Sequence, residues 1–337
     1  MHITVLSTGQ GLSSLVAAPF ELFKYTGVLW NDLLGKKQQA SFEVVTASQD
    51  GKPQLFDSNI IVKPDQKACS IEETDLVYMP GMGVEIDKMI ANNPDVIKLI
   101  KNQAEKGTIV AGVCSGVAML AEAGILDGKE ATTHWALAKQ FKQRFPAVNW
   151  QTDQFITQSG NIFCGGGVYG ALDLCLRLIE YFAGYKIAKQ SAQAFLIDSP
   201  RTWQSSYSSS LLKQTHHDEK IKQAQEYLFE HFTEHYILEK VCQKIGMSQR
   251  NFNRRFKKAT DLTPLAYLHQ LRINFAKVLL ESDFKSIQQI GYEVGYEDND
   301  FFRNIFKRYT RLTPTEYRMR FAKKHFEENK SKKININ

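Results

Sequence analysis

No stretch of this chain approaches the ~18–20 apolar residues that a membrane-spanning helix needs. Its opening residues, Met1-His2-Ile3-Thr4-Val5-Leu6, contain no basic segment and no cleavable apolar core, so no export signal is read. Cysteine is scarce. The five present (Cys69, Cys114, Cys164, Cys175 and Cys242) are odd in number and include no CxxC pair, which argues against a disulfide framework and a zinc site and points to a reducing cytoplasm. Disorder is also excluded, because 43% of residues are hydrophobic. At 337 residues the chain is too long for one ordinary domain, and two or three are expected.

Charge is unevenly distributed. Residues 1–216 hold 19 Lys+Arg against 20 Asp+Glu, whereas residues 217–337 hold 23 against 16. The net charge of +6 therefore resides in the C-terminal third, as expected if that part meets a polyanion. Between the two lies a serine-rich stretch, Gln204-Ser205-Ser206-Tyr207-Ser208-Ser209-Ser210, which reads as a flexible linker. The expected organisation is a near-neutral first domain over 1–200, a linker over 201–216 and a basic second domain over 217–325.

The C-terminal third repeats itself at an interval of fifty residues. Phe252 aligns with Phe302, Phe256 with Phe306, Lys257 with Lys307 and Thr260 with Thr310. Leu262-Thr263-Pro264 aligns with Leu312-Thr313-Pro314, and Tyr267 with Tyr317. Two copies of one supersecondary unit are implied. In the first, Leu238, Val241, Cys242 and Ile245 form one apolar helix face, Gly246 stops the helix, and Ser248 can cap a second helix over 249–259. In the second, Ile287, Ile290, Gly291 and Val294 form the stripe, Gly295 stops it, and Asp298 can cap a helix over 299–309. Each Thr-Pro begins a further helix, with Thr as cap and Pro at the first helical position.

A short helix, a glycine turn and a basic second helix describe a helix-turn-helix, whose second helix can enter a major groove. With Phe252 and Phe256 inward, the outward face presents Gln249, Arg250, Asn253, Arg254 and Lys257. The second unit presents Asn299, Asp300, Arg303, Asn304 and Lys307. Arginine can bond guanine bidentately, and Asn or Gln can do so with adenine. Lys257, Lys258, Lys307 and Arg308 lie one turn on, where phosphate contact is expected. The plainer alternative is a helical protein-binding module with solvated basic faces.

Residues 236–321 resemble the DNA-binding domain of the AraC/XylS family of transcriptional regulators. The resemblance is carried above all by Ile290-Gly291-Tyr292-Glu293-Val294-Gly295-Tyr296 and by Thr313-Pro314-Thr315-Glu316-Tyr317-Arg318. It implies an all-α domain of seven helices, with two helix-turn-helix units joined by a long helix over 262–281. The units would address adjacent major grooves and cover on the order of 20 bp of double-stranded DNA. Asp261 and Arg311 depart from the family, standing where glycine often precedes the Thr-Pro element. Cys242 and Gly291 replace a usual alanine.

The first two-thirds alternates strand and helix. Strands are expected over 3–7, 41–47, 76–79 and 108–113, with helices over 19–26, 95–105 and 116–123, which implies a largely parallel sheet covered on both faces. Gly112-Val113-Cys114-Ser115-Gly116 has the G-x-C-x-G form of a nucleophile elbow between strand and helix. His134, in Thr132-Thr133-His134-Trp135, could lie beside Cys114, and Pro80-Gly81-Met82-Gly83 could offer backbone donors.

Residues 1–185 resemble the class I glutamine amidotransferase-like superfamily in its ThiJ/PfpI branch, a flavodoxin-like α/β sandwich. The match runs from Val113-Cys114-Ser115-Gly116 through Ala131-Thr132-Thr133-His134-Trp135 to Gly165-Gly166-Gly167. The whole chain is similar to the GlxA-like subfamily of AraC regulators, which implies homodimerisation, contact with RNA polymerase and activation. Several features oppose catalysis by Cys114. Ala136 stands where amidotransferases place a carboxylate, Leu15 falls where PfpI-type enzymes place a glutamate, and Met82 interrupts the Pro-Gly-Gly loop. Catalytic, ligand-binding and purely structural roles for the elbow stay open, with a ligand pocket preferred. That pocket would comprise Cys114, Ser115, His134, Trp135, Gly81 and Met82. No cofactor and no metal is expected, and the effector is taken to be a small nitrogenous metabolite such as an amino acid or quaternary amine. The rivals are a cysteine amidase or glyoxalase-like enzyme fused to a DNA-binding domain, and an architectural DNA binder without a ligand.

Overall fold

The structure is a computed structural model that describes residues 1–197, 216–282 and 285–321. The chain divides into two compact units, Met1–Gln204 and Ser205–Asn337. The serine-rich stretch and the polar tail fall outside the described residues.

The first unit contains a seven-stranded sheet. Its strands are β1 (His2–Ser7), β2 (Glu43–Ser48), β5 (Gln66–Lys67), β6 (Leu76–Met79), β7 (Ile109–Val113), β10 (Ile156–Ser159) and β11 (Ile162–Gly165). Two short pairs lie apart from it, β3 (Gln54–Leu55) with β4 (Ile61–Val62), and β8 (Glu130–Ala131) with β9 (Asn149–Trp150). The sheet order is β10-β11-β7-β6-β1-β2-β5, and only the outer β10–β11 pairing is antiparallel.

The central strands are apolar throughout, as strands covered on both faces must be. Their side chains alternate between two cores: Leu76 and Tyr78 face one, Val77 and Met79 the other. On one side pack helices α1 (Ser14–Lys24), α7 (Gly170–Ala183) and, beyond them, α2 (Leu29–Leu33) and α8 (Tyr185–Ala194). On the other lie α3 (Ile86–Asn92), α4 (Pro94–Glu105), α5 (Val117–Glu122) and α6 (Ala138–Arg144). The largely parallel sheet covered on both faces, expected from the alternation, is what forms, and its layers are those of the flavodoxin-like sandwich that the resemblance implied.

The first helix corrects one expectation. It starts at Ser14, not Pro19, and carries Pro19 in its interior. Proline there removes only one helical hydrogen bond, and its buried ring joins Leu15, Val16, Leu22 and Phe23 on the inward face.

The second unit holds seven helices among the described residues: α9 (Glu219–His231), α10 (Ile237–Ile245), α11 (Gln249–Thr260), α12 (Pro264–Ser282), α13 (Ile287–Glu293), α14 (Asn299–Thr310) and α15 (Pro314–Phe321). They surround two cores. Phe252, Phe256, Val241, Ile245 and Tyr267 centre the first, and Phe302, Phe306, Ile290, Val294 and Tyr317 the second. The repeat thus appears as duplicated packing: Phe252–Phe256 ring centroids lie 5.3 Å apart and Phe302–Phe306 centroids 5.8 Å apart, both edge-on. Helix α12 serves both cores, with Tyr267, Leu268 and Leu271 in one and Ile273, Ala276 and Leu280 in the other.

Helix ends form where the side chains dictate. Ser248 and Asp298 accept amide hydrogen bonds at the starts of α11 and α14. Gly246 ends α10 in the left-handed conformation at φ 61°. Thr263 and Thr313 accept from Ala266 N and Glu316 N, each at 3.2 Å. Asp261 and Arg311 end α11 and α14 at φ 60° and 64°. Glycine adopts this left-handed backbone most readily, which fits the glycine that the resemblance leads one to expect there.

Candidate nucleic-acid interface and elbow pocket

Helices α11 and α14 each bury their phenylalanine edge and turn a polar face outward. Gln249, Arg250, Asn253, Arg254 and Lys257 are all exposed on α11, as are Asp300, Arg303, Asn304 and Lys307 on α14. Lys258 and Arg308 are exposed at the following turn. Asn299 differs from its repeat partner Gln249. It is half-buried, and its Oδ1 is enclosed without a hydrogen-bond partner, so it is less available to a base edge than expected.

Two of the outward arginines are held within their helix. Arg254 Nη2 donates to Asn251 Oδ1 at 3.0 Å, and Arg303 lies 3.6 Å from Asp300. Arg255 is different. It points back to Asp218 at the start of α9, donating from Nε at 3.0 Å and from Nη2 at 2.7 Å. Burial raises the Asp218 pKa, but hydrogen bonds from Arg255 and from the Ile221 amide, with the nearby guanidinium charge, leave it below the usual carboxylate range. This bidentate pair ties α11 to α9. Sequence spacing gave no signal for it, because the partners are 37 residues apart.

In the first unit, loops at the carboxyl ends of β1, β6 and β7 converge on Cys114. Its backbone is left-handed at φ 54°, the sharp strand-to-helix turn of an elbow. The following glycine is obligatory, since a Cβ on Gly116 would stand 2.0 Å from Pro80 O. Gly81 abuts the elbow from the next loop, where a Cβ would lie 3.2 Å from Cys114 Cβ and 3.1 Å from Leu15 Cδ1. Thr133 Oγ1 donates to Cys114 O at 2.7 Å and brings the 132–135 segment alongside.

The chemistry of the elbow is subdued. Cys114 is 9% exposed, and burial raises its thiol pKa although hydrogen bonding at Ser115 opposes the shift. The Met82 amide, a candidate ligand donor, already donates to Ser115 Oγ at 2.8 Å. The Met82 side chain is 1% exposed and packs into the core rather than facing a pocket. Burial lowers the His134 pKa, so the ring is neutral near pH 7; Nδ1 accepts from Ala136 N at 3.1 Å, and the ring lies 5.4 Å from Trp135. No hydrogen bond joins this ring to the Cys114 thiol among the described residues.

Two family models match the chain. The helix-turn-helix domain model covers residues 241–320, and the DJ-1/PfpI family model covers residues 17–181. The chain is 24% identical over 274 residues to the HTH-type transcriptional regulator CdhR of Pseudomonas aeruginosa, an alignment spanning 80% of each chain. It is 27% identical over 238 residues to the HTH-type transcriptional regulator ArgR of the same organism, spanning 68% of this chain and 69% of that one. The HTH-type transcriptional regulator GlxA of Rhizobium meliloti is 27% identical over 229 residues, which span 66% of this chain and 68% of that one. A solved protein from Vibrio parahaemolyticus, provisionally described as a transcriptional regulator, superposes with a TM-score of 0.50. It is 19% identical and covers 57% of this chain and 97% of its own. This chain joins a DJ-1/PfpI domain to an AraC-type helix-turn-helix domain.

Within the DJ-1/PfpI domain, sequence reasoning missed one wall of the elbow. The loop after β1 contains Gly9-Gln10-Gly11, and a Cβ on Gly11 would stand 2.9 Å from Gly83 N. Gln10 Oε1 is buried there with no hydrogen-bond partner. The two glycines flanking Gln10 were the available signal, since they permit close approach of loop to loop. Of the expected pocket residues, the DJ-1/PfpI fold gathers Gly81, Cys114 and Ser115 tightly. His134 and Trp135 remain half-buried beside them, and Met82 is turned away into the core. In the helix-turn-helix domain, every expected base-facing residue except Asn299 is exposed.

Proposed function

We propose that the chain is a sequence-specific regulator of transcription that binds double-stranded DNA through α11 and α14 and answers to a small molecule held in its DJ-1/PfpI domain. The observation that carries the DNA assignment is the pair of equivalent polar faces, each rich in Arg, Asn and Lys and each mounted on an inward phenylalanine pair. Relatives named as HTH-type transcriptional regulators over most of their length support it.

The DJ-1/PfpI domain acts in this proposal as a sensor rather than a catalyst. The raised thiol of Cys114, the Met82 amide committed to Ser115, and Leu15 in place of a carboxylate all support that role. Small nitrogenous metabolites are the proposed effectors, the half-buried Trp135 ring being suited to a cation. Homodimerisation through this domain, residence in the cytoplasm and activation through RNA polymerase complete the proposal. Coupling requires that the effector bind one arrangement of the regulator more tightly than the other. No helix among the described residues is long and apolar enough to cross a membrane.

A thermal-shift screen of full-length protein against amino acids and quaternary amines, with and without a selected DNA fragment, tests the sensor assignment. A stabilising compound whose affinity changes when DNA is present supports it. Unchanged melting across the screen favours a regulator without an effector. The strained left-handed Cys114 favours one rival, a cysteine enzyme. If Cys114→Ser abolished a measurable amide hydrolysis or glyoxalase turnover while leaving DNA affinity intact, that rival would stand.

A further inference from the structure

We infer that Arg272 is a positioning residue that holds the two reading helices at one spacing on DNA, an inference that rests on the DNA-binding assignment above. Arg272 lies at the middle of α12, between the portion that packs in the first core and the portion that packs in the second. Its side chain reaches both halves of the domain. Nε donates to Phe232 O at 2.7 Å and Nη2 to Glu234 O at 3.2 Å, both in the α9–α10 connection. Nη1 donates to Gly295 O at 2.8 Å, in the turn that sets up α14.

The residue is 8% exposed, and its charge is met by these carbonyl dipoles and by the Tyr296 ring, 5.2 Å from Cζ. The turn itself is seated against the first half. Gly295 has φ 89°, and a Cβ there would stand 2.8 Å from Thr233 O and 2.9 Å from Arg272 Cζ. Phe232 stacks on Phe275 of α12 at 4.2 Å and 15° beside this junction.

A single helix between two units can bend and twist. A second connection closes a ring of contacts and removes that freedom. Spacing matters because one inserted base pair moves a half-site by about 3.4 Å and rotates it by roughly 35° about the duplex axis. A planar guanidinium with donors on two edges suits this junction, and lysine, a point donor on a flexible stem, cannot reproduce it.

Full-length protein is used to enrich sequences from a random double-stranded DNA pool. Wild-type protein is expected to enrich two half-motifs at one spacing, with one inserted base pair weakening binding roughly tenfold or more. Arg272→Met should retain both half-motifs but accept several spacings, the insertion penalty falling to about threefold or less. Arg272→Lys should lie between. Thermal melting establishes that each variant is folded, and where Arg272→Met is not, Arg272→Lys is judged on the same two readouts. A folded variant with wild-type spacing and an unchanged insertion penalty overturns the inference. Failure of wild-type protein to enrich any motif overturns instead the DNA-reading assignment, and the inference with it.

Discussion

Arg254 and Arg255 are neighbours on α11, yet geometry assigns them opposite consequences. Arg254 is exposed, and its hydrogen bond to Asn251 lies within one helical turn. Replacing it with alanine, the best helix former, should change folding stability by less than about 0.5 kcal/mol. If it reads guanine, the loss on a selected site should be ~1–3 kcal/mol, roughly 5- to 150-fold in Kd. Arg255 makes a bidentate pair with Asp218, the two side chains being 36% and 23% exposed. Arg255→Ala should therefore cost about 1 kcal/mol of stability and leave base preference intact.

The stability loss should also depend on pH. Asp218 has a depressed pKa, so the pair contributes above the ordinary carboxylate pKa of ~3.9 and its contribution disappears as pH falls through the lower folded value. Competition binding with selected and random DNA at one salt concentration, alongside melting curves across pH, measures all of these effects. Equal losses by Arg254→Ala on selected and random DNA would refute base reading by that residue. A stability penalty for Arg255→Ala that did not shrink as falling pH protonated Asp218 would refute the ion-pair account.

Other expectations follow from single side chains. Lys307→Ala should weaken binding to every sequence and reduce the slope of log affinity against log salt by about 1, read from titrations at several salt concentrations. Iodoacetamide at neutral pH should modify exposed Cys69 well before buried Cys114, as peptide mass spectrometry would show, because burial both shields Cys114 and suppresses its thiolate. Burial lowers the Lys277 pKa to about 8, with its ammonium 5.9 Å from the Tyr317 ring. The folded form therefore releases this proton before the unfolded form does, and the Lys277 contribution to stability should rise between about pH 8 and pH 10, against the opposite trend from the buried thiols of Cys164 and Cys175. Lys277→Met should abolish that rise in melting experiments.

The parts legible from sequence were those encoded by neighbours in the chain. Phe252 and Phe302, with the two Thr-Pro elements, announced the duplicated units because helix packing repeats at fixed intervals. Ser248 and Asp298 marked helix starts because a cap acts over three residues. The elbow was legible because a strand ending at Gly-x-Cys-x-Gly admits few backbone paths, and Gly116 shows why in its approach to Pro80. What escaped depends on distant partners. Arg272 and Arg255 look like further basic surface until Phe232, Gly295 and Asp218 are brought to them. The helix expected over 19–26 instead begins at Ser14, because its buried face extends back through Val16 and Leu15. Asn299 inherits a face position from the repeat but not the exposure of Gln249, and Met82 belongs to a donor loop yet fills the core.

Helix α12 gives the C-terminal domain a common spine, and this shapes how the domain comes apart. Each half of its 19 residues is sheathed by a different set of phenylalanines, so neither half-core can dissolve without stripping one end of the same rod. Fraying at either extremity leaves the opposite end clad and able to template regrowth. Slowest amide exchange therefore belongs at the midpoint of that rod, where both claddings meet, with protection declining toward the outermost helices.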